Sequence, residues 1–210
     1  MIRILIADDH RILREGLKQI LAETSDMSVV AEANNGQEVL TRLRDQAVDV
    51  VLLDISMPGT SGLDVLKQLR SDHPHLAILI LSMYSEEQYA IRALRAGAAG
   101  YLTKDSAPDE LIGAIRKISQ GKKYVSASLA EKLAVYLESG EDIPLHQTLS
   151  DREYQVMCLI ASGKSVTEIA AEIHLSVKTI STYRSRILDK MRLKSNAALT
   201  HYVIQNQLLE

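Results

Sequence analysis

The feature that most constrains this chain is the texture of its first half, where short apolar runs rich in β-branched residues alternate with stretches of helical period. The runs are IRILIA (2–7), MSVVAEA (27–33), VDVVLLD (48–54), LAILILS (76–82) and AAGYLT (98–103). Between them, ILREGLKQILAE places Leu13, Leu17, Ile20 and Leu21 on one face, and GLDVLKQLR does the same with Leu63, Leu66 and Leu69. Strand and helix signals in alternation predict a parallel sheet with helices on both faces, here of five strands, doubly wound. VVLL and LAILIL do not alternate apolar with polar residues, as fits central strands buried on both sides.

From about residue 104 the strand signals stop. The remainder predicts helices near 107–120, 126–138, 151–162, 166–173, 177–192 and 196–206. Ser85-x-x-Gln88, Ser106-x-x-Asp109, Ser150-x-x-Glu153 and Ser165-x-x-Glu168 have the spacing of capping boxes at helix starts. SGEDIPLHQ (139–147), with Gly, Pro and acids, reads as an exposed linker. A length of 210 residues accommodates two small domains. The expected division is an α/β domain over 1–122, a linker with a helix over 123–147, and a small all-α domain over 148–210. Charge follows the same division: residues 1–122 carry a net −3 and residues 145–210 a net +2.

Several function classes drop out. A net charge of −3 excludes a uniformly basic nucleic-acid coat. Phe and Trp are absent and the aromatics are eight Tyr, which argues against stacking platforms for single strands. The lone cysteine, Cys158, excludes an internal disulfide and a cysteine-based zinc cluster. The histidines show no metal-ligand spacing beside a carboxylate pair, and neither GxxxxGK[ST] nor GxGxxG occurs, so ATP is not expected as a substrate. The apolar start breaks at Asp8-Asp9, unlike a signal peptide, and no stretch reaches the ~18 apolar residues of a membrane span. The expectation is a protein of the cytoplasm that does not engage the membrane.

In an open α/β sheet ligands bind beyond the carboxyl ends of the strands. Polar residues gather at those ends: Asp8 and Asp9 after the first run, Asp54 after the third, Ser82 after the fourth and Lys104 after the fifth. Clustered carboxylates repel one another and call for a hard, oxygen-preferring cation such as Mg²⁺. One carboxylate then has the means to act as a nucleophile toward phosphorus, with Lys104 offsetting charge on the transferring oxygens and Ser82 donating to them. Taken singly these residues have plainer readings: an Asp before a helix is often only an N-cap, and a loop Lys is usually just solvated.

ADDH (7–10), LLDISMPGTSGLD (52–64), ILS (80–82) and GYLTK (100–104) together resemble the receiver domain of two-component response regulators, over about residues 1–120. The resemblance implies a flavodoxin-like fold with Asp54 as phosphoacceptor and Mg²⁺ as cofactor. Asp9 would ligate the ion directly, Asp8 would complete the acidic pocket, and the Ser56 backbone carbonyl would be a further ligand. It also implies Lys104 as the phosphoryl-contacting lysine, Ser82 as the switch hydroxyl and Tyr101 as the switch aromatic. On its own, Tyr101 reads equally as half-buried packing with its hydroxyl at the rim. Pro58 would shape the loop after the acceptor. Ser56 and Tyr84, each two residues past a pocket residue, are candidates to govern water access.

In the tail, SVTEIAAEIHLSVKTISTYRSRILDKM carries a helix–turn–helix pattern with its break at His174-Leu175-Ser176. Val177, Ile180, Ile187, Leu188 and Met191 form a stripe to be buried, and Lys178, Ser181, Thr182, Ser185, Arg186 and Asp189 form the other side. Small polar residues flanked by cations suit a helix in a major groove. Lys164, Lys178, Arg184, Arg186, Lys190, Arg192 and Lys194 could neutralise phosphates. By charge alone, a helical bundle with a solvated face fits as well. LSDREYQVMCLIASGKSVTEIAAEIHLSVKTISTYRSRILDKMRLKS resembles the LuxR-type DNA-binding domain of the NarL/FixJ response regulators. That implies the second helix as recognition helix. Ser181, Thr182 and Ser185 become the base-edge candidates, and Lys178, Thr179 and Tyr183 candidates for phosphate or sugar contacts, with Arg186 and Lys190 beside them. Tyr183 and Arg184 stand where many relatives carry His and an apolar residue. The last helix, with Ala197, Ala198, Tyr202 and Val203, resembles the family's dimerisation helix.

The combined resemblance implies a phosphorylation-controlled transcription regulator that is not a turnover enzyme and loses its phosphoryl group by slow self-hydrolysis. Its partners would be a sensor histidine kinase, double-stranded promoter DNA read as a homodimer when phosphorylated, and RNA polymerase. The phosphoryl group would shift a population of states, altering the surface around residues 86–103. Two rivals are a Mg²⁺-dependent phosphatase working through an aspartyl phosphate, against which Ser56 stands where a second acid is usual, and a protein-interaction module whose tail binds no DNA.

Overall fold

The computed structural model describes residues 1–127, 129–131, 144–206 and 208–209, without the side chains of residues 87, 88 and 147. The chain divides into two compact units, Met1–Glu131 and Lys132–Glu210. In the first, strands β1 (Ile2–Ala7), β2 (Met27–Ala33), β3 (Val50–Asp54), β4 (Ala77–Ser82) and β5 (Gly100–Thr103) are linked by α1 (Arg11–Ala22), α2 (Gly36–Asp45), α3 (Gly62–Asp72) and α4 (Glu86–Arg95). Helix α5 (Pro108–Ser119) follows. The strands are parallel in the order β2-β1-β3-β4-β5, the doubly wound sheet expected from the sequence.

Every residue of β3 and β4 is buried, which is why those runs do not alternate. On one face Ile4, Ile6, Leu52, Leu79 and Leu81 pack with Leu17 and Leu21 of α1 and with Leu111, Ile115 and Ile118 of α5. Burial of each such side chain contributes about 1.5–3 kcal/mol. Leu63, Leu66 and Leu69, placed on one helix face from sequence, are fully buried. Strands β3 and β5 start later than their apolar runs. The backbone N–H of Ala98 donates to Ala93 at the end of α4, with Gly97 supplying the left-handed turn (φ +104°).

Helix α5 does not begin with the capping box expected at Ser106. Its N-cap is Ala107 and Pro108 takes the first helical position, where a residue without an N–H loses nothing. The Ser106 hydroxyl instead lies 3.3 Å from that of Thr103. Ser85 does precede α4, but its side chain makes no capping bond.

The first unit continues past residue 122. Tyr124 bridges to Gly100 beside β5, the Tyr124 hydroxyl donates to Glu110 (2.7 Å), and the Ser126 hydroxyl donates to Glu86 at the start of α4 (2.6 Å). Residues 127 and 129–131 are helical, the opening of the helix expected over 126–138. The rest of that helix, and linker residues up to 143, lie outside the described residues.

The second unit holds a 3-10 turn (Leu145–Thr148) and helices α6 (Asp151–Ala161), α7 (Val166–Glu172), α8 (Val177–Lys190) and α9 (Asn196–Gln205). Ser150 with Glu153 and Ser165 with Glu168 form complete capping boxes, as their spacing predicted. Between α7 and α8, His174 turns the chain with φ +53° and Ser176 caps α8 through the Thr179 N–H. Tyr154, Met157, Ile169, Ile180, Ile187, Met191, Leu199 and Val203 are buried. Val177, expected in the buried stripe, is 48% exposed: it is the first residue of α8, ahead of the turn that meets the core.

Candidate functional site: an acidic pocket and a recognition helix

Strand order sets the first site. The direction of winding reverses between β1 and β3, and the crevice past their ends is where ligands of such sheets sit. Pairing of Ala7 with Leu53 brings Asp8 and Asp9 beside Asp54, while Ser82 pairs with Thr103 one residue before Lys104. The backbone N–H of Lys104 donates to Ser82 (2.8 Å) and turns the lysine toward the acids. Its Nζ lies 2.7 Å from Oδ2 of Asp8 and 2.9 Å from Oδ2 of Asp54, with all three side chains at most 5% exposed. Asp8, Asp9, Asp54 and Lys104, expected after the first, third and fifth strands, thus meet.

One ammonium faces several carboxylates, and the electrostatics show the imbalance. Burial pushes the Asp54 carboxyl above its ordinary pKa and Asp8 adds to that, while the Lys104 charge opposes it. Burial also works against the Lys104 charge, but Asp54 and Asp8 outweigh it and hold the ammonium above its ordinary value. Neither oxygen of Asp54, nor Oδ1 of Asp9, accepts an aligned hydrogen bond among the described residues. Buried acceptors left in this way are the atoms a cation would satisfy. One donor atom each from Asp8, Asp9, His10 and Asp54 lies within 4.8 Å of the others. The donor set therefore fits a divalent cation.

Three contributors were not singled out from the sequence. Arg14, buried on α1, donates to the Asp8 backbone carbonyl (2.6 Å) and so fixes the turn that presents the acids. His10, whose backbone N–H donates to Oδ1 of Asp8 (2.8 Å), brings an imidazole to the pocket's mouth. A side chain at Gly62 would strike the Asp54 backbone carbonyl. Only glycine lets α3 start against β3. The first two signals lie in spacing across a loop, and the third in a close approach invisible before folding.

Tyr101 is fully buried, not at the rim, and its hydroxyl donates to the Tyr84 backbone carbonyl (2.7 Å). Burial holds that hydroxyl's pKa well above the ordinary tyrosine value. The Ser82 hydroxyl accepts the Tyr84 N–H (3.1 Å), so both switch candidates grip the loop between β4 and α4. Ser56, half-buried, follows two residues after Asp54.

On α8, Lys178, Ser181, Thr182, Ser185 and Arg186 are exposed along one side, and Thr179 and Tyr183 are half-buried. The hydroxyls of Ser181, Thr182 and Ser185 donate to backbone carbonyls one turn earlier, which leaves their lone pairs outward. Not every expected cation is free. Lys190 donates to the buried Glu153 (2.6 Å), Arg184 to Asn196 (2.7 Å), and Lys164 to Glu172. Lys190, expected among the DNA contacts, is thus engaged in tying α8 to α6.

Comparison with known proteins agrees with this arrangement. Residues 4–116 match the response regulator receiver domain, and residues 147–203 match the bacterial regulatory proteins of the luxR family. The chain is 36% identical over 209 residues to the response regulator UvrY of Escherichia coli (strain K12), covering 99% of this chain and 96% of that protein. It is 35% identical over 211 residues to the response regulator GacA of Pseudomonas protegens, covering 100% and 99%. Among solved structures it is similar to RcsB from Salmonella enterica serovar Typhimurium bound to promoter rprA in the presence of phosphomimetic BeF3⁻, with TM-score 0.67 and 28% identity over 97% of this chain and 98% of that one. A sheet with a carboxylate–lysine pocket, joined in one chain to a helix–turn–helix unit, defines a regulator rather than a metabolic enzyme. The chain belongs to the response regulators, with a receiver domain followed by a LuxR-type DNA-binding domain. No helix among the described residues is long and apolar enough to cross a membrane.

Proposed function

We propose that Asp54 accepts a phosphoryl group from a phospho-histidine of a sensor histidine kinase and that this modification controls dimerisation and binding of promoter DNA. The observation that carries the reading is Asp54 itself: a buried carboxylate held 2.9 Å from a buried lysine, with the other acids of the pocket beside it. In the transfer an Asp54 oxygen forms a bond to phosphorus as the P–N bond breaks, and the departing imidazole takes up a proton. Asp9, Asp54 and the Ser56 carbonyl would hold Mg²⁺, with Asp8 completing the acidic wall. The bound ion supplies charge compensation for the transferring oxygens. Lys104, beside Asp8 and Asp54, gives a second positive charge.

The Ser82 hydroxyl then donates to the new phosphoryl oxygen. Because Ser82 and Tyr101 both hold Tyr84, that movement shifts the start of α4, where Glu86 accepts from Ser126, just ahead of the helical residues that begin at 127. Slow hydrolysis of the acyl phosphate resets the protein. The phosphorylated chain pairs and reads two half-sites in duplex DNA through α8, with Ser181, Thr182 and Ser185 at base edges and Lys178, Thr179, Tyr183 and Arg186 on the backbone. Binding of duplex DNA is supported by the similarity to RcsB bound to promoter rprA. Such a regulator works in the cytoplasm beside RNA polymerase. Intact mass after incubation with a small phosphodonor tests the chemistry. A Mg²⁺-dependent gain of one phosphoryl group, absent in Asp54→Asn, is expected, and an equal gain in the variant would refute the assignment.

A further inference from the structure

Helix α8 is polar along its open side except at its first residue. Among the residues of α8, Val177 is the one large hydrophobic that is exposed, at 48%. Valine is a weak helix former, and outside the core it adds little to stability. Hydrogen bonds show which residues it lines up with. The Ser181 hydroxyl donates to the Val177 backbone carbonyl (2.9 Å) and the Ser185 hydroxyl to the Ser181 backbone carbonyl (3.2 Å), one turn apart each time. Val177, Ser181 and Ser185 thus stack in one row, and Lys178, Thr182 and Arg186 form the row beside it. The first turn of α8 holds no acid, whereas α6 opens with Asp151 and Glu153 and α7 has Glu168. An acid there would favour the helix end but repel phosphates, so nothing in this turn opposes a close approach to a duplex.

We propose that Val177 is a specificity-determining residue that packs against the C5-methyl of a thymine in the major groove, at one position of each half-site. A recognition helix contacts base edges with its N-terminal residues, and Val177 is the first of them. The hydroxyls of Ser181 and Ser185 discriminate weakly among bases, because a hydroxyl both donates and accepts. In the major groove a methyl marks thymine alone, and an apolar side chain reads it without a hydrogen bond. The contact takes two apolar surfaces out of water at once, whereas a purine in that place sets a polar edge against the isopropyl group. The inference rests on α8 as the recognition helix, as in the proposed function.

The test uses the full chain, treated with a small phosphodonor and Mg²⁺, and a duplex selected from a random library. Each thymine of the selected half-site is replaced in turn by deoxyuridine, which removes the methyl and nothing else. Affinity is measured for wild type, Val177→Ala and Thr182→Ser. Val177 lies outside the core, so its alanine variant folds, and a circular dichroism melt checks this. At one thymine, wild type should lose about fourfold in affinity per methyl removed. Val177→Ala should bind the thymine duplex more weakly by a similar factor and should lose the distinction from uracil at that position alone. A uracil penalty that persists in Val177→Ala, or is relieved only in Thr182→Ser, whose methyl lies in the neighbouring row, overturns the role of Val177. So does a selected half-site in which no thymine carries a penalty. Failure of wild type to select any duplex overturns the reading of α8 as the recognition helix as well, which separates the two failures.

Discussion

At the scale of single residues, the pocket depends on groups that carry no charge of their own. Gly62 starts α3 against the last residue of β3, and a Cβ there would meet the Asp54 carbonyl and lie 2.9 Å from Cα of Ile55. Backbone atoms cannot swing aside as a flexible side chain can. Gly62→Ala should cost about 1–3 kcal/mol in urea unfolding, the usual range for overpacking, and should lower phosphoryl uptake because Asp54 itself is displaced. An unchanged unfolding midpoint would contradict this packing. That Asp8, Asp9, Asp54 and Lys104 come together was legible in the sequence because each stands at the end of a recognisable strand. Gly62 and Arg14 were not, since their parts depend on distances between segments. His10 was passed over because its contacts with Asp8 and Asp9 exist only once the loop after β1 is folded.

At the scale of elements, α6 and α8 are joined through one carboxylate. Burial pushes the Glu153 carboxyl up, but the Lys190 ammonium and the Ser150 N–H and hydroxyl outweigh it and hold its pKa below the ordinary value. A group whose folded pKa is depressed stabilises the fold above its unfolded pKa, near ~4.3, and ceases to do so as pH falls through the folded value. Wild type should therefore exceed Glu153→Gln in melting temperature at pH 7, and the gap should close as pH drops below about 4. A gap independent of pH would mean that Glu153 acts by shape alone. The capping boxes at Ser150 and Ser165 were readable because three-residue spacing is local chemistry. The one expected at Ser106 failed for an equally local reason: Pro108 is a better first helical residue, and it moves the cap to Ala107. Lys190 shows the limit of reading cations one by one, for its partner lies 37 residues away.

At the scale of the whole molecule, the acidic unit and the mildly basic unit answer different questions, one whether a phosphoryl group is present and the other which duplex is bound. Two-domain architecture was legible from the change in texture and from net charges of −3 and +2 over residues 1–122 and 145–210. Its boundary was less so, because Tyr124 and Ser126 belong to the first unit through contacts made beside β5 and α4. The account's central claim is that chemistry at Asp54 sets DNA affinity. The most direct test is the affinity of the full chain for a duplex selected from a random library, measured before and after incubation with a small phosphodonor and Mg²⁺, in wild type and Asp54→Asn. Wild type should tighten by about tenfold, within the usual span of coupling between sites, and Asp54→Asn should not respond. Equal tightening in the variant, or no change in wild type whose mass shows the phosphoryl group, would contradict the account.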